Sequence, residues 1–163
     1  MLHPRTLLFA IFFICVGLML GGMYFQYVMD LAPCPLCITQ RVFICTVGFV
    51  ALLAALQCPG RTGVRIYALL GLMSSVIGGG VSARHTWLQS LPEELAPACG
   101  PGLSYMFETL PFRDALEVLF RGDGNCADIS WSFLGLSIPG WTLFWFIILA
   151  GINIWVFYRP TTP

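Results

Sequence analysis

The sequence TLLFAIFFICVGLMLGGMYFQYVM, residues 6–29, runs for 24 residues without a charged side chain. At a rise of 1.5 Å per residue, a helix of about 20 apolar residues crosses the hydrocarbon layer of a membrane. Backbone polar groups in lipid must be paired within the segment, which a helix achieves and an open strand does not. The stretch therefore predicts a spanning helix near residues 7–27. A signal peptide is the alternative, but the run is long and lacks a convincing small-residue cleavage site.

Three further uncharged runs predict three further spans. They cover residues 42–60, 66–83 and 129–158, and the last is most apolar from about residue 141. We therefore predict an all-α membrane protein, with a bundle of four transmembrane helices near 7–27, 40–57, 65–84 and 141–158. The 163 residues are expected to form a single integral-membrane domain. Loops 28–39 and 85–140 then lie on the same side of the membrane.

The composition supports this class and excludes others. Hydrophobic residues make up 58% of the chain and charged residues only 10%, whereas soluble domains carry about 25% charged residues. A formal net charge of zero excludes a polybasic nucleic-acid-binding protein, so we expect a lipid bilayer and no nucleic acid as partner.

The arginines predict the orientation. Four spans place both termini on one side, which would carry Arg5, Arg61, Arg65 and Arg159. The other side has two arginines near helix ends and two far out in the long loop: Arg41, Arg84, Arg113 and Arg121. Short cytoplasmic loops and flanks are rich in arginine and lysine, so the pattern predicts that both termini are cytoplasmic.

The seven cysteines divide according to this topology. Cys15 and Cys45 lie within predicted helices and are expected to be packing residues, and Cys58 lies at a cytoplasmic helix end. The other four lie on the outer side: Cys34, Cys37, Cys99 and Cys126. Disulfides persist in oxidising compartments, and an even number of exported cysteines fits two pairs.

The motif Cys34-Pro35-Leu36-Cys37 is the candidate redox centre. Two cysteines at this spacing can alternate between dithiol and disulfide, which makes them a two-electron centre. Cys37 lies just before or within the first turn of the second helix, where the helix dipole favours a thiolate. Arg41 follows one turn later on the same face, and its charge would favour both that thiolate and negative charge on a reduced carrier.

Other interpretations of the motif are a structural disulfide and a metal knuckle. Zinc sites usually repeat the short spacing, and Cys99 and Cys126 are far apart, so we expect no metal site. Ile38, rather than His, follows the motif, which argues against a c-type haem. Arg41 could simply extend to the membrane interface, and the loop pair could be a static crosslink.

The long outer loop contains the second pair. Cys99 and Cys126 lie in segments rich in Gly and Pro, at 97–102 and 122–126. Between them, a short helix after Pro111 has one apolar face and is expected to rest on the membrane surface. His85, at the outer end of the third helix, is a candidate to line a carrier pocket; a plain polar helix end is the alternative.

Two sets of residues resemble the DsbB family of bacterial inner-membrane disulfide oxidases. The first is FQYVM at 25–29, followed by CPLC at 34–37 and by Arg41. The second is Cys126, followed by Trp131, by FLGLS at 133–137, and by Pro139 and Trp141. The four spans and the cysteine-bearing loop also match, so the resemblance covers nearly the whole chain.

The resemblance implies an enzyme that reoxidises a periplasmic DsbA-like oxidase of thioredoxin fold and reduces a membrane quinone, either ubiquinone or menaquinone. It implies that Cys99 and Cys126 form the outer disulfide and that the partner attacks Cys99. Cys126 would then attack Cys34, and Cys37 would face the quinone beside Arg41. The redox cysteines would be periplasmic.

One position departs from the family, and three other functions stay open. Gln40 stands where some members carry an acid, which puts a proton-transfer role for this position in doubt. The alternatives are a non-catalytic scaffold with structural disulfides, a specialised paralogue serving one dedicated partner, and an enzyme that passes reducing equivalents outward. The last would need a cysteine pair reachable from the cytoplasm, where Cys58 is alone.

Overall fold

Four long helices make up most of the structure. It is a computed structural model, and it describes residues 4–57, 60–92, 111, 113, 119–122, 124–129 and 131–158. They are α1 (Pro4–Tyr27), α2 (Pro35–Gln57), α3 (Arg61–Gln89) and α4 (Ile138–Tyr158). All four are long and apolar enough to cross a membrane. The predicted all-α, four-helix membrane fold is confirmed.

Helix α2 begins at Pro35, about five residues before the start predicted near residue 40. Proline suits the first helical position because its missing N–H would have no partner there. Cys34 caps the helix: its carbonyl accepts from Ile38 N–H at 3.2 Å, and its Sγ accepts from Cys37 N–H at 3.4 Å. Cys37 therefore lies in the first turn, where the sequence placed it.

The helices pack in chain order, and the ring they form is open on one side. Helix α3 packs against α2 and α4, α1 packs against α2, and α1 and α4 make few contacts. The bundle core includes Ile11, Val47, Ala68 and Phe146, all at most 1% exposed. The weak contact between α1 and α4 leaves space for a cavity.

Apolar side chains also cover the outside of the bundle. Phe13 of α1, Phe49 of α2, Val76 of α3 and Ile147 of α4 are each 60–65% exposed. So large an apolar surface on every helix is suited to lipid rather than to water.

Glycine allows α3 to approach its neighbours closely. A Cβ on Gly78 would collide with the Phe146 ring of α4 and would lie 2.9 Å from Cβ of Phe43 in α2. A Cβ on Gly71 would lie 2.5 Å from Asn153 Oδ1. Small residues at helix–helix contacts are the usual means of close packing within membranes.

We expect Gly78→Ala to destabilise the protein by about 1–3 kcal/mol, because the new methyl group overpacks the α3–α4 contact. Gly80→Ala is the matched control, since a Cβ at Gly80 in the same helix meets nothing within 4 Å. The control should be neutral or stabilising by up to about 1 kcal/mol through helix propensity. Thermal unfolding in detergent measures both, and equal melting temperatures for the two variants would contradict this packing.

A β-hairpin precedes α4. Strand β1 (Ser132–Phe133) pairs antiparallel with β2 (Leu136–Ser137). The two connecting residues, Leu134 and Gly135, have φ angles of 52° and 79°, and a tight hairpin turn of this kind requires positive φ at both positions. The sequence had predicted only a broken apolar segment here.

Several predicted features lie outside the described residues. They include Cys58, Cys99, Arg159 and most of the surface helix after Pro111, of which residues 113 and 119–121 are described as helical.

Candidate redox site

Three of the four predicted redox cysteines meet at the outer end of the bundle. Cys34 and Cys37 are thiols whose sulfurs lie 3.2 Å apart. Cys126, on a 3₁₀ turn at Gly124–Cys126, is fully buried and its thiol hydrogen-bonds with Cys34. Leu36, Val81 and Leu88 complete this small apolar cluster. Cys34 therefore stands between Cys37 and Cys126.

The surroundings of Cys34 favour its protonated form. Hydrogen bonds with Cys126 and Cys37, together with burial, raise the pKa of the Cys34 thiol above its ordinary value. Its own thiolate is therefore disfavoured in the reduced state.

His85 adjoins the sulfurs and is itself held by Gln40. Cys34 Sγ lies 3.7 Å from His85 Nε2, and the Gln40 amide nitrogen lies 3.1 Å from His85 Nδ1. Both His85 and Gln40 are at most 3% exposed. When the amide nitrogen donates to Nδ1, the neutral ring carries its proton on Nε2 and directs it at Cys34.

The sequence singled out His85 but not its pairing with Gln40. An amide cannot take up a proton as an acid would, yet it can fix which ring nitrogen of His85 bears hydrogen. The sequence signal for Gln40 was a polar residue in a mostly apolar helix, where it stands between Thr39 and Arg41.

Arg41 joins α2 to α1. Its Nη1 donates to Gln26 Oε1 and its Nη2 donates to Gly22 O at 2.8 Å. A Cβ at Gly22 would lie 3.2 Å from Arg41 Nε, so the absence of a side chain there makes room for the guanidinium. Arg41 thus lies between two helices, against the interpretation that it simply extends to the interface.

Hydrogen bonds hold the segment around Cys126 against the helix ends. Thr39 Oγ1 donates to Leu119 O at 2.9 Å, and Arg84 Nε donates to Arg121 O at 3.0 Å. Gly122 has a φ of +76°, and a Cβ there would lie 2.7 Å from the Leu36 side chain. These contacts fix the chain that carries Cys126 beside Cys34.

A cavity of about 430 Å³ opens between α1 and α4, beside the thiols. Its polar lining residues include Cys34, Cys37, Gln40, Arg41, His85, Gln89 and Asp128. Gly17 and Gly21 of α1 line its wall, and neither would meet another atom within 4 Å if it carried a Cβ. The volume is typical of a small-molecule site.

Aromatic rings form the mouth of this cavity. Phe25 and Trp131 have ring centroids 4.8 Å apart, and Trp131 stacks on Phe133 at 5.9 Å. Phe133 lies 6.3 Å from Trp141, whose Nε1 donates to Phe133 O at 3.2 Å. The row offers flat apolar surfaces to a planar ligand. The sequence made His85 a candidate to line a carrier pocket, and His85 does line this cavity, but the aromatic row was not predicted.

Cys15 and Cys45 lie apart from this site. They line an apolar groove between α1 and α2, with Met19 and Phe49 among its other residues. Cys15 is buried in the bundle core, as the packing role expected from the sequence requires, whereas Cys45 is exposed on the outside of the helices.

Comparison with known proteins identifies the family. The family model described as "Disulfide bond formation protein DsbB" matches residues 4–156. Disulfide bond formation protein B of Saccharophagus degradans is 56% identical over 151 residues, which cover 93% of this chain and 91% of that protein. The protein of the same name from Nitrosococcus oceani is 49% identical over 154 residues, covering 94% and 91%. Disulfide bond formation protein B 1 of Pseudomonas aeruginosa is 40% identical over 156 residues, covering 96% of each. The chain therefore belongs to the DsbB family, whose members reoxidise DsbA and pass the electrons to quinone.

Proposed function

We propose that this chain carries two electrons from a reduced DsbA-like protein, through Cys99/Cys126 and then Cys34/Cys37, to a quinone in the cavity between α1 and α4. The observation that carries the proposal is the position of Cys34. It hydrogen-bonds with Cys126 on one side and with Cys37 on the other, at the edge of the cavity.

The sulfur chemistry follows from this order. A partner thiolate attacks Cys99, the Cys99–Cys126 bond breaks, and Cys126 is released as a thiolate. Cys126 attacks Cys34, so that the Cys34–Cys37 bond breaks and Cys37 leaves with the electron pair. The partner's second thiol releases Cys99, which attacks Cys126, restores the outer disulfide and frees Cys34. The partner is oxidised and the inner pair is reduced, with two electrons transferred.

Three side chains prepare this exchange. His85 Nε2 lies 3.7 Å from Cys34 Sγ, where an Nε2–H would stabilise the negative charge that develops when Cys34 is released. Gln40 holds the His85 ring in that orientation. Arg41 places a positive charge at the same end of the cavity as Cys37.

The cavity fits a quinone. The ring pairs at its mouth suit a planar head group, and the polar lining offers donors from Arg41 and Gln40. Gln89 borders the cavity, and its buried Oε1 has no partner among the described residues, so it can accept from a ligand hydroxyl. When bound, a quinone supplies a two-electron, two-proton acceptor for the Cys34/Cys37 dithiol.

Reduction potentials require such an acceptor. A DsbA-like oxidant lies near −120 mV, whereas structural disulfides typically lie below about −300 mV. Ordinary disulfides would therefore be too reducing to reoxidise it, and electron removal by the membrane quinone pool drives the exchange. The proposed acceptor is either ubiquinone or menaquinone.

The proposal includes the orientation. The chain acts as a single membrane domain of residues 1–163 in the bacterial inner membrane, with both termini in the cytoplasm. The connections between these helices on the outer side, residues 28–34 and 90–137, then face the periplasm, where the DsbA-like partner docks. The arrangement of the arginines supports this orientation.

The central experiment reconstitutes the reaction. The purified protein in detergent is mixed with a reduced thioredoxin-fold dithiol protein and a soluble quinone analogue, and quinone reduction is followed by absorbance. We expect catalytic turnover at a quinone-to-protein ratio well above one. Absence of turnover with an intact outer disulfide would support the scaffold function instead.

We expect Gly21→Leu to impair quinone use without unfolding the protein, because the new side chain would occupy the cavity rather than a helix contact. Overpacking of about 1–3 kcal/mol corresponds to a roughly 5–150-fold rise in the KM for quinone. Gly151→Leu in α4 is the control, since its Cβ also meets nothing within 4 Å but it does not line the cavity. Equal KM values for the two variants would place the quinone elsewhere.

A further inference from the structure

We propose that the reduced protein binds one thiophilic divalent cation, of which Zn²⁺ is the type, at Cys34, Cys37 and His85. The sulfurs of both cysteines and a ring nitrogen of His85 all lie within 4.8 Å of one another. Thiolate and neutral imidazole are the ligands that Zn²⁺ prefers in proteins.

The distances suit tetrahedral coordination. Zn–S bonds of about 2.3 Å and Zn–N bonds of about 2.0–2.1 Å imply ligand-to-ligand distances of about 3.6–3.8 Å. Cys34 Sγ lies 3.7 Å from His85 Nε2, which already matches. The two sulfurs lie 3.2 Å apart and need to separate by about half an ångström, which side-chain rotation can supply.

The neighbouring residues can complete the site. The Cys126 thiol, hydrogen-bonded to Cys34, is placed to approach as a fourth ligand. Rotation of the Gln40 carboxamide would turn its oxygen toward His85 Nδ1–H, the outer contact that fixes a metal-binding histidine. Cys34, Cys37 and His85 border the cavity, which gives the ion a path of entry.

The spacing of the cysteines argued against zinc because no second short-spaced pair exists in the sequence. The structure supplies the third ligand from a different helix, since His85 of α3 lies beside the N-terminus of α2. The site is therefore assembled by the fold.

Metal binding depends on the redox state. Zn²⁺ needs both sulfurs as thiolates, so it binds the dithiol form, releases the thiol protons and changes no oxidation state. The Cys34–Cys37 disulfide has no thiolate to offer. Metal binding and oxidation of the pair exclude each other, so a thiophilic cation arrests the reduced protein. Metal binding by the dithiol does not depend on whether the protein passes electrons to a quinone. It can therefore be tested without measuring catalysis.

The test is a titration of the full-length protein in detergent, reduced and freed of reductant, with Co²⁺ as a spectroscopic substitute for Zn²⁺. We expect one equivalent to produce the visible bands of a tetrahedral thiolate complex, and one equivalent of Zn²⁺ to abolish them. The protein with the Cys34–Cys37 disulfide should give no bands. Cys45→Ser, in the separate groove, should behave as the wild type.

Two further variants distinguish this site from other thiols. His85→Ala should lose the tetrahedral spectrum, and Gln40→Leu should weaken Zn²⁺ binding by about 10–100-fold while the ligands stay in place. The inference is overturned if the reduced wild type gives no tetrahedral spectrum. It is equally overturned if His85→Ala and Gln40→Leu both bind as tightly as the wild type, because the metal would then be held by other cysteines.

Discussion

Replacement of Cys37 by Ser is expected to end quinone reduction and to leave one stoichiometric oxidation of the partner. In this variant the Cys34–Cys37 disulfide cannot form, so the pair that delivers electrons to the quinone is lost. The Cys99–Cys126 disulfide is untouched and can still accept two electrons from one molecule of reduced partner. Rapid mixing followed by thiol alkylation should show one partner oxidised per chain, and absorbance should show quinone reduction at the uncatalysed rate.

Cys45→Ser provides the matched control for this experiment. It removes a thiol from the same helix, but from the apolar groove on another face, so full turnover is expected. Continued quinone reduction by Cys37→Ser would show that Cys37 does not deliver the electrons.

The second large effect is expected for Cys126→Ala, which should block electron transfer from the protein partner but not from a small dithiol. Cys34 is only 8% exposed, so a folded partner cannot reach its sulfur, and Cys126 is the thiol in contact with it. Turnover with the protein partner should fall to background. A small dithiol such as dithiothreitol can enter the cavity and reduce the Cys34–Cys37 disulfide, so quinone reduction driven by it should persist.

The ratio of partner-driven to dithiothreitol-driven rates is the measurement, and Cys126→Ser repeats it with a side chain of similar size. Partner-driven turnover that survived in both variants would mean that the partner reaches Cys34 directly. Loss of both activities would mean that Cys126 is needed by the inner pair itself, which would contradict its role as the intermediate thiol.

The four helices could be predicted because lipid requires long uncharged runs, and such runs are visible in one sequence. The start of α2 could not be predicted in this way, because the helix continues past the charge on Arg41 to a cap formed by the Cys34 sulfur. A cysteine is not a usual capping residue, so Pro35 was the sequence signal for this helix start. The hairpin at Leu134 and Gly135 was missed because leucine rarely adopts a positive φ.

The part of the site formed by cysteines and Arg41 could be predicted, because cysteine and charged residues are rare in this apolar chain. Cysteines, and an arginine beside a long apolar run, are conspicuous in this chain, and the spacing of Cys37 and Arg41 places them one turn apart on a helix that begins just after Cys34. The contacts of His85 with Cys34 and Gln40 join residues 51 and 45 positions apart. Such contacts depend on how two helices pack, and a single sequence does not contain that information.

The gap between α1 and α4 also bears on which quinones the protein can use. If a quinone binds in this cavity as proposed, its planar head group would lie among Arg41, His85 and the aromatic rings, and its isoprenoid chain would leave through the gap into the acyl chains of the bilayer. The protein would therefore select quinones by their head group and not by the length of their isoprenoid chain. Among quinones with the same ring, those with six, eight or ten isoprene units should be reduced equally well once their concentrations within the membrane are matched.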